Sequence, residues 1–140
     1  MKHDVTPEIE KTEAQWKAEL EPERYHILRE AGTEAPFTGS LLTMRDDGTY
    51  LCGACGQPLF ASDAKYDSHC GWPSFTNPEQ QENVRLLDDH SHGMRRIEVR
   101  CKRCDSHLGH VFDDGPGPAG TRYCINSRSL DFQPSKTAAS

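Results

Sequence analysis

No stretch of this 140-residue chain approaches the roughly eighteen consecutive apolar residues that a membrane-spanning helix needs. Its opening, Met1-Lys-His-Asp-Val-Thr-Pro-Glu-Ile-Glu10, turns acidic at once and has no apolar h-region, so no secretory leader is expected and the expected location is cytoplasmic. Basic residues are scarce: 16 Lys and Arg stand against 22 Asp and Glu, for a net charge of −6 and a pI near 5.6. Neutralising phosphates requires a basic face, which excludes nucleic acid as the main partner. Apolar residues make up only 34% of the chain, while Gly and Pro contribute 11 and 9 residues. A core so lean gains from a metal staple, because metal binding adds directly to folding free energy. There is no internal repeat and no low-complexity tract. One domain over 1–140 is the economical organisation, with a helical segment at 1–40, a zinc-braced β core at 41–132 and a frayed tail at 133–140.

Cysteine, by contrast, is plentiful, and its six copies divide into four plus two. Cys52 and Cys55 form one C-x-x-C pair, and Cys101 and Cys104 form another. Two such knuckles are the usual way to present four thiolates to one tetrahedral zinc ion, and a filled four-sulfur site keeps no open position. One structural Zn²⁺ per chain is therefore expected, leaving Cys70 and Cys124 as the thiols free to react. Gly53 and Gly56 suit a tight turn that aims amide N–H groups at the sulfurs. Lys102 and Arg103 would offset the charge of four thiolates on the ion. The pairs lie 45 residues apart, too far for a compact finger, so the ion is expected to clip two hairpins together. A three-disulfide framework is the alternative, disfavoured by compartment and spacing. A thioredoxin-like redox pair explains one C-x-x-C but not two matched ones.

The periodicity predicts a mainly β chain with small N-terminal helices. Thr12-Glu-Ala-Gln15 has the form of a capping box, with Trp16 and Leu20 on one helical face. Pro22 suits the first turn of a second helix through Tyr25, Ile27 and Leu28, ending at Gly32. Asp46-Asp47-Gly48 reads as a turn between strands at Leu41-Leu42 and Tyr50-Leu51. The alternation in Arg96-Ile-Glu-Val-Arg-Cys101 predicts a half-buried strand, and Tyr123 and Ile125 mark another. The run at 113–118, rich in Asp, Gly and Pro, is loop.

If residues 122–126 are extended, Arg122, Cys124 and Asn126 share one face. A guanidinium near a thiol favours the thiolate, so a lowered pKa is expected for Cys124. Asn126 could hold a substrate oxygen or orient an imidazole. The competing reading of Cys124 is a small buried hydrophobe. His107 and His110, close to the second knuckle, are candidate general acids; ligation of zinc ranks below catalysis because four cysteines are already available. His3, His26, His69, His90 and His92 are expected at the surface. Trp72, in Cys70-Gly-Trp-Pro-Ser-Phe75, is either a wall for a small apolar group or a core anchor.

Cys70-Gly-Trp-Pro-Ser-Phe75, His107-Leu-Gly-His-Val-Phe-Asp-Asp-Gly-Pro116 and Gly120-Thr-Arg-Tyr-Cys-Ile-Asn-Ser127, set in order around two C-x-x-C pairs, resemble the B-type methionine sulfoxide reductases. The similarity runs from about Gly32 to Phe132 and its combined motifs are highly specific. It implies a pair of antiparallel sheets with peripheral helices, Cys124 as nucleophile, Cys70 as resolving cysteine, and Trp72 as the wall that receives the substrate methyl. It further implies His107, His110, Arg122 and Asn126 as polar site residues, with Cys52, Cys55, Cys101 and Cys104 as zinc ligands. The implied activity is that of a peptide-methionine (R)-S-oxide reductase, acting mainly on protein-bound methionine R-sulfoxide and recycled by thioredoxin, as a monomer. One departure is visible: His69 stands where Gly is more often expected. Two other classes remain, a zinc-ribbon interaction module without catalysis and a redox sensor that ejects its metal on oxidation.

Overall fold

The computed structural model describes residue 9 and residues 11–90, 93 and 95–135; His3, His92 and the last five residues lie outside this set. The helices form where the sequence predicts. α1 (Glu13–Glu19) opens on a complete capping box, in which Thr12 Oγ1 accepts the Gln15 N–H at 3.1 Å and Gln15 Oε1 accepts the Thr12 N–H at 2.8 Å. α2 (Pro22–Glu30) starts on its proline and buries Ile27 and Leu28. It ends one residue before the expected glycine: Ala31 takes the left-handed turn at φ 55°, and the Gly32 N–H closes on the His26 carbonyl at 3.0 Å.

Among the described residues nine strands follow: β1 (Gly48–Cys52), β2 (Pro58–Ala61), β3 (Lys65–Tyr66), β4 (Ser74–Phe75), β5 (Val84–Asp89), β6 (Arg96–Cys101), β7 (His107–Phe112), β8 (Arg122–Ile125) and β9 (Leu130–Pro134). They form two antiparallel sheets, ordered β2-β1-β9 and β3-β4-β8-β7-β6-β5. The expected strand at Leu41-Leu42 is absent. Those residues form a turn, with the Leu42 N–H bonded to Gly39 and the Met44 N–H to Leu41, and β1 finds its partners in β2 and β9.

The few aromatic residues are concentrated where the sheets meet. Phe60 stacks on Phe75 at 4.3 Å between centroids, Tyr50 meets the same ring edge-on at 5.2 Å, and Tyr123 approaches Phe60 at 5.8 Å. Leu59, Val99, Leu108 and Ile125 complete this core. On β6 burial does not follow the alternation strictly: Glu98 is buried along with Val99 and Cys101, while Arg96 and Arg100 on its own face are half-buried. None of the described helices is long and apolar enough to cross a membrane.

Candidate active site and four-sulfur cluster

Cys52 closes β1 and Cys55 lies in the turn to β2; Cys101 closes β6 and Cys104 lies in the turn to β7. Each knuckle is thus the tip of a hairpin, one from each sheet. The four sulfurs all lie within 4.8 Å of one another. Cys52 and Cys104 are 3.7 Å apart and Cys55 and Cys101 3.6 Å, close to the edge of about 3.8 Å expected for a tetrahedron with Zn–S bonds near ~2.3 Å. The donor set fits a thiophilic tetrahedral ion. The glycines serve the turn rather than the sulfurs. Gly56 takes φ 82° and bonds back to the Cys52 carbonyl at 2.8 Å, while the amide reaching Cys52 Sγ, at 3.4 Å, belongs to Ala54. Ser106 Oγ adds a contact to Cys104 Sγ at 3.1 Å.

The remaining two thiols meet over β8, an interior strand of the large sheet. Register places Ser74, Cys124 and His110 side by side across β4, β8 and β7. Cys70, in the loop entering β4, reaches back so that its Sγ stands 3.6 Å from Cys124 Sγ. Two left-handed residues flank it, His69 at φ 63° and Gly71 at φ 99°. The departure at His69 therefore has a local meaning: this position favours glycine, and here a side chain occupies it, exposed and 3.5 Å from Asp67. The Cys70 sulfur sits among polar groups, 2.9 Å from Ser68 Oγ and 3.4 Å from Ser74 Oγ.

The electrostatics reverse the expectation for Cys124. Burial pushes its thiol up to about 12, the neighbouring Cys70 adds to the rise, and Arg122 pulls downward without overcoming either. Burial also raises Cys70, but hydrogen bonds from the hydroxyls of Ser68 and Ser74, from the Trp72 backbone and from Cys124 outweigh it, and its pKa falls below the ordinary value. Burial therefore favours the thiol form of Cys124, while the polar setting of Cys70 favours its thiolate. Arg122 is only partly available to the thiol, because it forks onto Asp114 at 2.8 and 3.2 Å and lies 4.4 Å over the Phe112 ring.

A cavity of about 190 Å³ opens over this pair, lined by Trp72, His110, Arg122, Cys70, Cys124 and Asn126 among others. Trp72 is half-buried there, its Nε1–H donated to the Glu34 carbonyl at 3.0 Å. The Asn126 amide is engaged with backbone, accepting the Glu34 N–H at 3.0 Å and donating to the Leu108 carbonyl at 3.1 Å. It neither binds nor orients an imidazole. His110 Nε2 bonds Asp89 at 2.8 Å; burial lowers its pKa, with Asp89 opposing and Arg96 reinforcing the shift. His107 is not among the cavity residues. It lies on the same side of β7 as His110 despite the spacing of three, because a bulge opposite Val99 and Arg100 pairs it with Arg100. The two rings are 5.5 Å apart, and His107 Nδ1 is 2.7 Å from Glu98 Oε2. His26, His69 and His90 are exposed as expected.

Sequence reasoning passed over Glu34, Ser68, Ser74, Asp89 and Glu98. Only Glu98 carried a signal, a carboxylate facing two arginines in an alternating strand. The others act across 21 or more residues, as Asp89 does on His110, or through a loop whose path no local pattern sets, as Ser68 and Ser74 do on Cys70.

Residues 20–134 match the SelR domain. The chain is 57% identical to "Peptide methionine sulfoxide reductase MsrB" of Methanosarcina barkeri over 125 residues, covering 89% of this chain and 88% of that protein. It is 58% identical to the protein of the same name from Methanosarcina mazei over 124 residues, 89% of each. A third of that name, from Thiobacillus denitrificans, is 59% identical over 124 residues, 89% of this chain and 94% of its own.

Proposed function

The chain belongs to the SelR-domain family of B-type peptide methionine sulfoxide reductases, and from that membership we propose that it reduces methionine R-sulfoxide, mainly protein-bound, to methionine. The observation that carries the reading is the 3.6 Å contact between Cys70 and Cys124 in a side-chain-sized cavity with Trp72 as a wall. Trp72 would receive the substrate methyl. Cys124 attacks the sulfoxide sulfur and forms an S–S bond to it; the protonated oxygen then passes to the Cys124 sulfur as the substrate S–O bond and the new S–S bond break, so that methionine departs and Cys124 is left as sulfenic acid. Because burial keeps Cys124 protonated at rest, its proton must move as the sulfoxide oxygen arrives, and His110 or His107 completes protonation of that oxygen. The Cys70 thiol then displaces water from the sulfenic acid to form a disulfide. Its depressed pKa suits this attack, and thiol–disulfide exchange with thioredoxin would restore both thiols.

One Zn²⁺ held by Cys52, Cys55, Cys101 and Cys104 would tie the two hairpins and take no part in the redox step. A cytoplasmic monomer is the proposed working form. Replacing Cys124 by Ser should abolish reduction of R-sulfoxides, whereas Cys70→Ser should keep one stoichiometric turnover and lose thioredoxin-driven recycling. Near-wild-type turnover in the first variant would sink the assignment. Mass spectrometry of the oxidised protein should find a Cys70–Cys124 disulfide with zinc retained. Zinc loss without that disulfide would favour a redox sensor instead.

A further inference from the structure

The second knuckle carries an oddity that zinc binding does not require. Both knuckles close in the same way: the residue after the second cysteine turns left-handed and bonds back to the first cysteine, Gly56 to Cys52 and Asp105 to Cys101, each at 2.8 Å. Gly56 meets this with φ 82°, as the geometry favours. At the equivalent place Asp105 adopts φ 63° and bears a side chain, although glycine would serve the turn at lower strain. Its carboxylate is fully employed. Oδ1 accepts from Arg85 Nη1 at 2.6 Å and Oδ2 from Arg100 Nη1 at 3.2 Å.

The chain of contacts continues inward. Arg100 Nε donates to Glu98 Oε2 at 2.9 Å, and that same oxygen stands 2.7 Å from His107 Nδ1. Its inner end is buried: the Asp105 and Arg100 side chains are 25% and 32% exposed, Glu98 10% and His107 5%. The Glu98 carboxyl is held near 2: burial raises it, but His107 and Arg100 more than compensate. An ionised Glu98 accepts only, so His107 must carry its proton on Nδ1. In the Nδ1–H tautomer Nε2 is a bare acceptor, and this buried atom has no hydrogen-bond partner among the described residues. Neither a solvent-facing ion pair nor a merely structural histidine needs that arrangement.

Building on the reductase reading, we infer that Asp105, Arg100 and Glu98 are positioning residues for the reaction: they run from the knuckle turn to His107, fix its Nδ1–H tautomer and hold Nε2 as a proton-accepting atom beside His110. His107 would then exchange a proton with His110, the imidazole that lines the cavity, and the knuckle turn would set ring placement as well as hold sulfur.

Asp105→Gly is the informative variant, because glycine suits φ 63° and keeps the knuckle while removing the carboxylate. The zinc-loaded protein should retain its metal and its melting temperature while kcat for a peptide methyl sulfoxide falls about tenfold with KM unchanged. Glu98→Gln should lower kcat by about tenfold or more and release the tautomer, seen as a shift of the His107 ring nitrogens in ¹⁵N NMR. Arg100→Lys, which keeps the charge but not the fork, should fall between. An unchanged His107 tautomer in Glu98→Gln, or wild-type kcat in Asp105→Gly with zinc bound, overturns the inference. The NMR arm needs no turnover. A wild-type protein that reduces no methyl sulfoxide would defeat the function itself, while the tautomer result would still decide the tether.

Discussion

Glu34 offers the sharpest test of how the site is held. Its side chain is 1% exposed, and its carboxylate accepts the N–H groups of Ser127 at 2.9 Å and Arg128 at 3.0 Å, plus Arg128 Nη1 at 3.2 Å. These donors belong to the turn that directly follows Cys124 and Asn126. Glu34→Ala would strand two backbone N–H groups, of which the one on buried Ser127 has no route to water. A buried unpaired donor costs about 1–3 kcal/mol. Arg128 loses one charge-assisted bond but keeps Glu23 at 3.0 Å, and the substitution also removes a carboxylate that was costly to desolvate. The net is about 3 kcal/mol. With a melting entropy of about 2.1 cal/mol/K per residue, roughly 0.3 kcal/mol/K for this length, the melting temperature should fall by about 10 °C. Glu34→Gln keeps one acceptor oxygen and should lose about half as much. Calorimetry on the metal-loaded protein gives both values. An alanine variant melting within about 2 °C of wild type would refute the premise that this carboxylate anchors the turn. The same segment holds Trp72 through the Glu34 carbonyl, so surviving Glu34→Ala protein should show a raised KM.

Gly109→Ala should be far worse than a surface change, because its Cβ would run into the Cys124 carbonyl oxygen on the facing strand; a loss of about 3 kcal/mol and collapse of activity are expected by denaturant melts and turnover assays. His69→Gly should relieve the left-handed strain at φ 63° and raise stability by up to about 1 kcal/mol; a lower melting temperature would show that the side chain has a stabilising role instead. The depressed Glu98 pKa, about 2 against 4.5, makes the folded state release a proton that the unfolded state keeps. Stability from this group is therefore complete above about 4.5 and is lost as pH falls toward 2. The loss is at most about 3 kcal/mol, less because Arg100 is partly solvated; it should be missing from Glu98→Gln, so the stability gap between wild type and variant should shrink as pH falls. Cys55→Ser should cost zinc stoichiometry and a large part of the melting temperature together; stable protein without metal would remove the staple from the account.

What the chain declares locally, it declares well. The capping box at Thr12, the proline at the head of α2, and the alternation of β6 and β8 each depend on neighbours within four residues, and each is present in the fold. The four-sulfur cluster was legible for the same reason, since each knuckle is a local turn and only the meeting of the two is long-range. The strand at Leu41-Leu42 failed because two leucines before an Asp-Gly turn are equally good hairpin and turn-core residues, and β9, arriving from 80 residues away, took the pairing instead. The thiol pKa values failed more instructively. Arg122 does act on Cys124 as its place two residues away suggests, but burial and the approach of Cys70 from a distant loop outweigh it. Neither is written in the tripeptide Arg-Tyr-Cys. A thiol kept protonated by burial is less readily oxidised than a thiolate, so the three-dimensional setting withholds from Cys124 the reactivity that its sequence neighbours would have conferred.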